Sequence, residues 1–392
     1  MIKIILKSGK DEAVRRFHPW VFSGAIKKMS GEPRDGEIVE VYSNHDELLG
    51  IGHYQNGSIA VRVFSFEKIV PDKDFWKSKI ETAFNYRKAI GLIENPETNV
   101  YRLIFAEGDG LPGLIMDHYN GTIIMQAHSI GMYQLRHVFS EILNELYGKN
   151  LKAFYCKSSE TLPKFAKADV NDEYLFGSAA ENIVNENGNK FYIDWETGQK
   201  TGFFVDQREN RELLAKYSKG KDVLNTFCYS GGFSVYALKA GANMVHSVDS
   251  SKRAIDLTVK NLELNNFDPV KNECIPFDTL EYLNVTENKY DVIILDPPAY
   301  AKHNDVRHNA IQGYKRLNAA AISKIQPGGI LFTFSCSQVI DRFLFNSTVV
   351  SAAITTGRKV RIMHQLSQPP DHPISAYHPE GQYLKGLVLF IE

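Results

Sequence analysis

Beyond about residue 194 the chain alternates short apolar runs with stretches of helical spacing, a pattern that commits it to a parallel α/β sheet. Strands are predicted at 223–225, 244–248, 274–276, 292–295 and 330–334, with 359–365 and 386–391 closing the set. Helices are predicted over 233–239, 254–264 and 343–355. Two of the apolar runs end in reactive side chains: Tyr290-Asp-Val-Ile-Ile-Leu295 leads into Asp296-Pro-Pro298, and Ile330-Leu-Phe-Thr-Phe-Ser335 leads into Cys336. If the two are neighbouring strands, a carboxylate and a thiol emerge side by side at the carboxyl edge of the sheet. That edge is where open α/β sheets bind their ligands.

The rest of the chain has a different texture. Residues 1–70 read as a small all-β domain, with strand-like runs at 37–42, 48–54 and 59–64 and a hairpin dipeptide Asn56-Gly57. Pro71-Asp72 opens a helix over 75–90. Residues 71–194 mix strands (101–106, 114–117, 122–127, 151–156) with a helix over 132–147 and a hairpin turning at Asn187-Gly188, an α+β pattern. Three domains are therefore expected: 1–70, 71–194 and a Rossmann-like α/β domain at 195–392. The formal net charge of −1 gives no overall basic character, so any nucleic-acid contact has to come from local patches. Arg15, Arg16 and His18, ahead of Trp20, form the best such patch. No apolar stretch spans a bilayer, and four scattered cysteines without a Cys-x-x-Cys pair suit neither a structural metal site nor a disulfide framework. A cytoplasmic protein without metal or membrane partner is expected. The oligomeric state is not set by the sequence, and a homodimer stays open.

The loop Asn225-Thr-Phe-Cys-Tyr-Ser-Gly-Gly232 joins the first strand to the first helix and requires close approach of backbone to ligand, which paired glycines permit. Asp249 closes the second strand, eighteen residues after Gly231, where a carboxylate accepts from both ribose hydroxyls. A dinucleotide would call for Gly-x-Gly-x-x-Gly, which is absent. S-adenosylmethionine has an adenosine and no phosphate, and it needs the ribose carboxylate without the glycine fingerprint. The predicted donor site comprises Asn225, Cys228, Ser230, Gly231, Asp249, Ser250, Asp278 and Asp296. Asp278, set to accept from the adenine amino group, equally suits a helix N-cap.

Two chemistries use an Asp-Pro-Pro turn, in which both prolines lock φ. A carboxylate and a carbonyl can orient an exocyclic amine, guanine N2 or adenine N6, for direct methyl transfer. Alternatively, a carboxylic acid near N3 of cytosine assists addition of a nucleophile at carbon 6, which makes carbon 5 nucleophilic. Cys336 favours the second. Glu380 is the candidate base for the carbon-5 proton and equally reads as a solvated loop residue; His372 is a weaker candidate.

These residues, taken with His18-Pro-Trp-Val-Phe-Ser-Gly24, Ala106-Glu-Gly-Asp-Gly-Leu-Pro-Gly-Leu114, Gly198-Gln-Lys-Thr-Gly-Phe-Phe-Val-Asp-Gln-Arg208, Cys228-Tyr-Ser-Gly-Gly-Phe233, Phe334-Ser-Cys-Ser337 and Tyr383-Leu-Lys-Gly386, resemble the bacterial 23S ribosomal RNA cytosine-5 methyltransferases with an N-terminal PUA domain. The resemblance spans essentially the whole chain. It implies a PUA domain, a middle domain and a Rossmann-like methyltransferase domain, with S-adenosylmethionine as donor and 23S ribosomal RNA as substrate. It also implies Cys336 as the single nucleophile and a contribution of Arg208 to the donor pocket. Pro298 and Ala299 stand where two-cysteine relatives carry a second thiol. A non-catalytic RNA-binding assembly factor is the alternative from outside the enzymes, disfavoured by the intact cofactor loop and Asp249.

Overall fold

The computed structural model describes residues 1–178, 182–301 and 304–392. Contacts divide the chain into two units: Met1–Asn185 with Ile193–Val205 and Pro370–Gly381, and Glu186–Tyr192 with Asp206–Pro369 and Gln382–Glu392. Among the described residues no helix is long and apolar enough to cross a membrane.

The first unit contains two sheets. In space the six strands of one run Trp20–Phe22, Ile59–Ser65, Leu48–Tyr54, Ile38–Tyr42, Ile2–Leu6, Ile26–Met29. Alternating residues such as Val39, Val41, Val61 and Val63 are buried against Ile4 and Leu6, so period-two patterning makes one face the core. The other sheet runs Glu173–Gly177, Ala153–Cys156, Thr122–Ala127, Leu114–Tyr119, Val100–Phe105. A helix over Lys73–Ala89 covers it. Asp72 caps the helix by accepting from the Phe75 amide, and Trp76, Ile80, Ala83 and Arg87, spaced at helical period, are its buried face. Ile51 and Phe64 from the first sheet belong to the same apolar cluster as Trp76 and Ile80. Residues 1–70 and 71–185 are thus sewn into one unit, a coarser division than the break at 70 suggests. Burying a side chain like Phe64 contributes about 1.5–3 kcal/mol, which is why a seam so packed does not read as a linker.

The second unit is a seven-stranded sheet running Asn272–Pro276, Met244–Asp249, Asp222–Thr226, Tyr290–Leu295, Ile325–Ser335, Lys385–Ile391, Val360–Leu366. The first five strands are parallel, and Lys385–Ile391 is antiparallel to both its neighbours. Strands buried on both faces read as continuous apolar runs, as Val292–Leu295 does, which is why they were predictable. Chain order reverses at Asp222–Thr226, which neighbours both Met244–Asp249 and Tyr290–Leu295 and is the switch point where such sheets bind ligands. Among the described residues, four strands (Ile2–Leu6, Trp20–Phe22, Ile26–Met29, Glu173–Gly177) and three helices (Glu12–Arg15, Arg208–Ser218, Arg307–Lys324) were not anticipated. The helix expected over 132–147 is broken at Leu135 into Ile130–Gln134 and Arg136–Tyr147.

Candidate active site

The predicted donor loop leaves the strand Asp222–Thr226 and enters the helix Gly232–Lys239. Phe227, Tyr229 and Gly231 have φ of 53°, 47° and 72°. Two non-glycine residues at positive φ within three positions cost of order 1–3 kcal/mol each, and such strain concentrates at ligand sites. At Gly231 the requirement is absolute, since a Cβ would stand 2.7 Å from Thr258 Cγ2. The loop is tied down from two sides. Asp249 Oδ2 accepts from the Tyr229 amide at 3.1 Å and Oδ1 from the Ser251 amide at 2.9 Å, while Asn261 Nδ2 donates to the Ser230 carbonyl at 2.8 Å. Asp249 thus fixes the loop through two backbone amides.

The remaining donor-site candidates divide. Asn225 donates to Ser234 Oγ at 2.8 Å and is 1% exposed; Cys228 Sγ lies 3.4 Å from Thr258 Oγ1, with burial raising its pKa. Both side chains are turned inward, so only their backbone can face a ligand. Arg208 and Ser230 are buried, and Ser250 is exposed. Asp278 caps the helix Thr279–Val285, accepting from the Glu281 amide at 3.0 Å.

At the next strand ends the register fixes the chemistry. Leu295 is level with Thr333, so the parallel strands bring Asp296 alongside the Phe334-Ser-Cys336 exit. Across the other edge, Ser335 is level with Lys385, whose ammonium donates to the Ser337 carbonyl at 2.7 Å. Gln207 Nε2 donates to Asp296 Oδ2 at 3.0 Å, and the Tyr383 hydroxyl donates to Asp206 Oδ2 at 2.5 Å. Asp206 Oδ1 is buried with no hydrogen-bond partner among the described residues. Burial, reinforced by the nearby Asp206 charge against the pull of Gln207 and Arg211, raises the Asp296 carboxyl to about 7. Burial, with Asp296 and Asp206, raises the Cys336 thiol to about 11, and Lys385 opposes that rise. The site therefore holds a carboxyl poised to be a neutral acid beside a thiol that needs help to ionise. Asp206, Gln207, Tyr383 and Lys385 lie in the strings that carried the resemblance, but their chemistry was not read there. Tyr300, after Asp-Pro-Pro, lies against Tyr314 with ring centroids 4.7 Å apart and packs on Gly313, so its ring is part of the core and not a free stacking face.

The other candidates belong to the first unit. Arg15 is paired with Asp11 (2.6 Å) and Glu47 (2.5 Å), and Arg16 with Glu12. Phe17 between them and His18 has φ 64° and is 48% exposed, with the exposed Tyr377 ring 5.2 Å away. A shallow cleft of about 440 Å³ is lined by Lys27, Lys28, Tyr54 and Asn56. Glu380 is also here: its carboxylate lies 3.4 Å from His18 Nε2 and 3.8 Å from His378 Nε2. The three side chains are close enough to surround a cation. His18 Nδ1, however, accepts from the Trp20 amide, so the neutral ring carries its proton on Nε2 and offers Glu380 a donor, not a metal a lone pair. His372 is buried beside Asp371.

This arrangement matches known proteins along its whole length. Residues 4–66 match the family described as PUA-like domain, and residues 156–387 match the family of S-adenosylmethionine-dependent methyltransferases. Ribosomal RNA large subunit methyltransferase I of Aeromonas hydrophila is 39% identical over 394 residues, covering 98% of each chain. The proteins of the same name from Aliivibrio fischeri and Vibrio cholerae are 39% and 38% identical with the same coverage. A solved chain from Streptococcus mutans, assigned as a SAM-dependent methyltransferase, superposes over 100% of both chains with a TM-score of 0.85 at 22% identity, a likeness of fold. On these matches the chain belongs to the S-adenosylmethionine-dependent methyltransferases, in the family of ribosomal RNA large subunit methyltransferase I.

Proposed function

We propose that this protein methylates carbon 5 of a cytosine in 23S ribosomal RNA through a covalent adduct on Cys336. The observation that carries the reading is the pairing, on adjacent strand ends, of the Cys336 thiol with an Asp296 carboxyl raised to about 7. An exocyclic amine needs no thiol and gains nothing from a protonated acid. The relatives' name, which places their substrate in large-subunit ribosomal RNA, supplies the substrate class.

S-adenosylmethionine, when bound, supplies the methyl group as an electrophile. The residues of the 225–232 loop and Asp249 suit it: the carboxylate would accept from the ribose hydroxyls, and the N-terminus of the helix Gly232–Lys239 would favour a carboxylate. The Cys336 thiolate adds to carbon 6 of the ring as the Asp296 carboxyl gives its proton to N3. The electron pair that reaches carbon 5 then forms the bond to the methyl group, whose bond to the donor's sulfur breaks with its electrons left on that sulfur, so that a neutral thioether departs. A base removes the carbon-5 proton, the sulfur–carbon bond breaks with its electrons returning to Cys336, and N3 returns its proton to Asp296. We assign the base to Asp206 in place of Glu380. Asp206 lies near Asp296 and Cys336 and has a buried oxygen without a hydrogen-bond partner among the described residues, whereas Glu380 is engaged by His18. RNA contact by the first unit rests on the Lys27 and Lys28 cleft and on Phe17, since Arg15 and Arg16 are already paired with carboxylates.

Incubating the protein with S-adenosylmethionine and unmodified 23S RNA, then digesting to nucleosides, is expected to yield 5-methylcytidine by mass spectrometry. N2-methylguanosine, N6-methyladenosine or 5-methyluridine as the product overturns the reading. Donor placement has its own test. Asp249→Ala removes a charge-assisted acceptor worth roughly 1.5–3 kcal/mol, so calorimetry is expected to show S-adenosylmethionine bound about ten- to a hundredfold more weakly. Unchanged affinity would remove Asp249 from the donor site.

A further inference from the structure

Lys385 has no part in the chemistry above, yet its placement is unusual. It starts the one antiparallel strand that flanks the Cys336 strand, with its backbone level with Ser335, and its Nζ reaches the carbonyl of Ser337. A side chain that begins opposite residue 335 and ends on residue 337 runs past residue 336. It is 3% exposed. Lysine is almost never fully buried without a partner that compensates it, and one neutral carbonyl is poor compensation for an ammonium. The groups that face it are Cys336, with Arg342 and Asp341 at the start of the neighbouring helix. Those that face Cys336 are Asp296, Asp206, Tyr314 and Lys385. Of this set Lys385 is the one cation set against the thiol, and both carboxylates work against ionisation.

We infer that Lys385 is the countercharge of the Cys336 thiolate, a positioning residue that makes the nucleophile available without touching the base it attacks. The S–H bond of Cys336 breaks with its electron pair left on sulfur, and the proton leaves to water. The ammonium gains and loses no proton in the step. Burial lowers the Lys385 pKa to about 8, so it is mostly charged at neutral pH, when a thiolate has to be held. The hydrogen bond to Ser337 keeps the ammonium in place while the sulfur is bonded to carbon 6. When the sulfur–carbon bond breaks again, the returning electron pair finds its countercharge already present.

The inference rests on the proposed role of Cys336, and its test is made without RNA so that the two can fail separately. Cys336 is partly exposed, and its alkylation by iodoacetamide, followed at that residue by peptide mass spectrometry from pH 6 to 10, reads the thiolate directly. Lys385→Gln removes the charge and keeps a donor for the Ser337 carbonyl, Lys385→Met removes both, and Lys385→Arg keeps the charge. An opposite charge at close range shifts a pKa by about 1–3 units. Both neutral variants are therefore expected to alkylate Cys336 at least tenfold more slowly at pH 8, and the arginine variant within about threefold of the wild type. Thermal shift with S-adenosylmethionine identifies which variants are folded. A folded Lys385→Gln or Lys385→Met protein with the wild-type alkylation profile overturns the inference. Slow alkylation in these variants, in a protein whose Cys336→Ser form still methylates RNA, would sustain the countercharge and overturn the covalent mechanism.

Discussion

Cys336→Ser is expected to abolish methyl transfer, with a rate loss of at least about 10⁴, or 5.5 kcal/mol in the barrier. S-adenosylmethionine affinity should stay within twofold of the wild type. The reason is chemical: carbon 5 of cytosine has no useful nucleophilicity until an electron pair is pushed into the ring at carbon 6, and a serine hydroxyl in the same place has a far higher pKa than the thiol it replaces. The donor loop is separate from this step, being tied to Asp249 and Asn261. RNA bearing 5-fluorocytosine at the target is expected to trap the wild-type enzyme as a stable adduct, because fluorine cannot leave as a proton does. The adduct should be absent with Cys336→Ser. Normal turnover by the serine variant, or no trapping by the wild type, would transfer the case to amine methylation.

Asp296→Asn is expected to lose activity and gain stability, and the gain should depend on pH. In the folded chain the carboxyl titrates near 7, against about 3.9 in an unfolded one, so the native state binds the proton more tightly. Its contribution to stability is therefore complete below about pH 4 and is lost as pH rises through 7. At pH 8 the wild type carries a half-buried charge that asparagine does not, while the amide oxygen can still accept from Gln207. Calorimetric scans should show the variant more stable by roughly 1–4 kcal/mol at pH 8, with the gain shrinking steadily below pH 7 and gone by about pH 4. Methylation should fall about 10²–10⁴-fold, the usual worth of a positioned acid. A variant less stable than wild type at pH 8 would mean that the carboxylate is held charged. The pair also works in inverted protonation states, because the acid must be protonated near 7 while the thiol ionises near 11. The reactive pairing is therefore a minor form of the free enzyme, and Lys385, which opposes the rise in the thiol, works toward it.

Much of the second unit was legible because strands buried on both faces leave uninterrupted apolar runs. Val223–Asn225, Met244–Val248 and Val292–Leu295 all lie inside the strands found. The helix Arg307–Lys324 escaped because its inner face is made of Ala310, Tyr314, Leu317, Asn318, Ala321 and Ile322, with small and polar residues where large apolar ones carry the signal. Arg208–Ser218 escaped for a similar reason: Arg211 is buried in it, neutralised by two hydrogen bonds to Glu186. The strand-end positions of Asp296, Cys336 and Asp249 were readable because each ends a run that is itself recognisable. The surroundings of Asp206 and Lys385 were not, since these side chains meet Asp296 and Cys336 across 90 and 49 residues of chain that no local pattern encodes. Arg15 and Arg16 looked like free cations in sequence and are ion-paired in the fold.

The strand Lys385–Ile391 lies between Ile325–Ser335 and Val360–Leu366, and so is inserted between two segments that leave the ribosome before it. Those two segments cannot close on each other without excluding it, and a nascent chain ending before residue 385 has Cys336 on an open sheet edge with no lysine beside it. On the countercharge proposed for Lys385, thiol and cation come together only when this strand is in place, so the site is completed by a pairing distant in sequence.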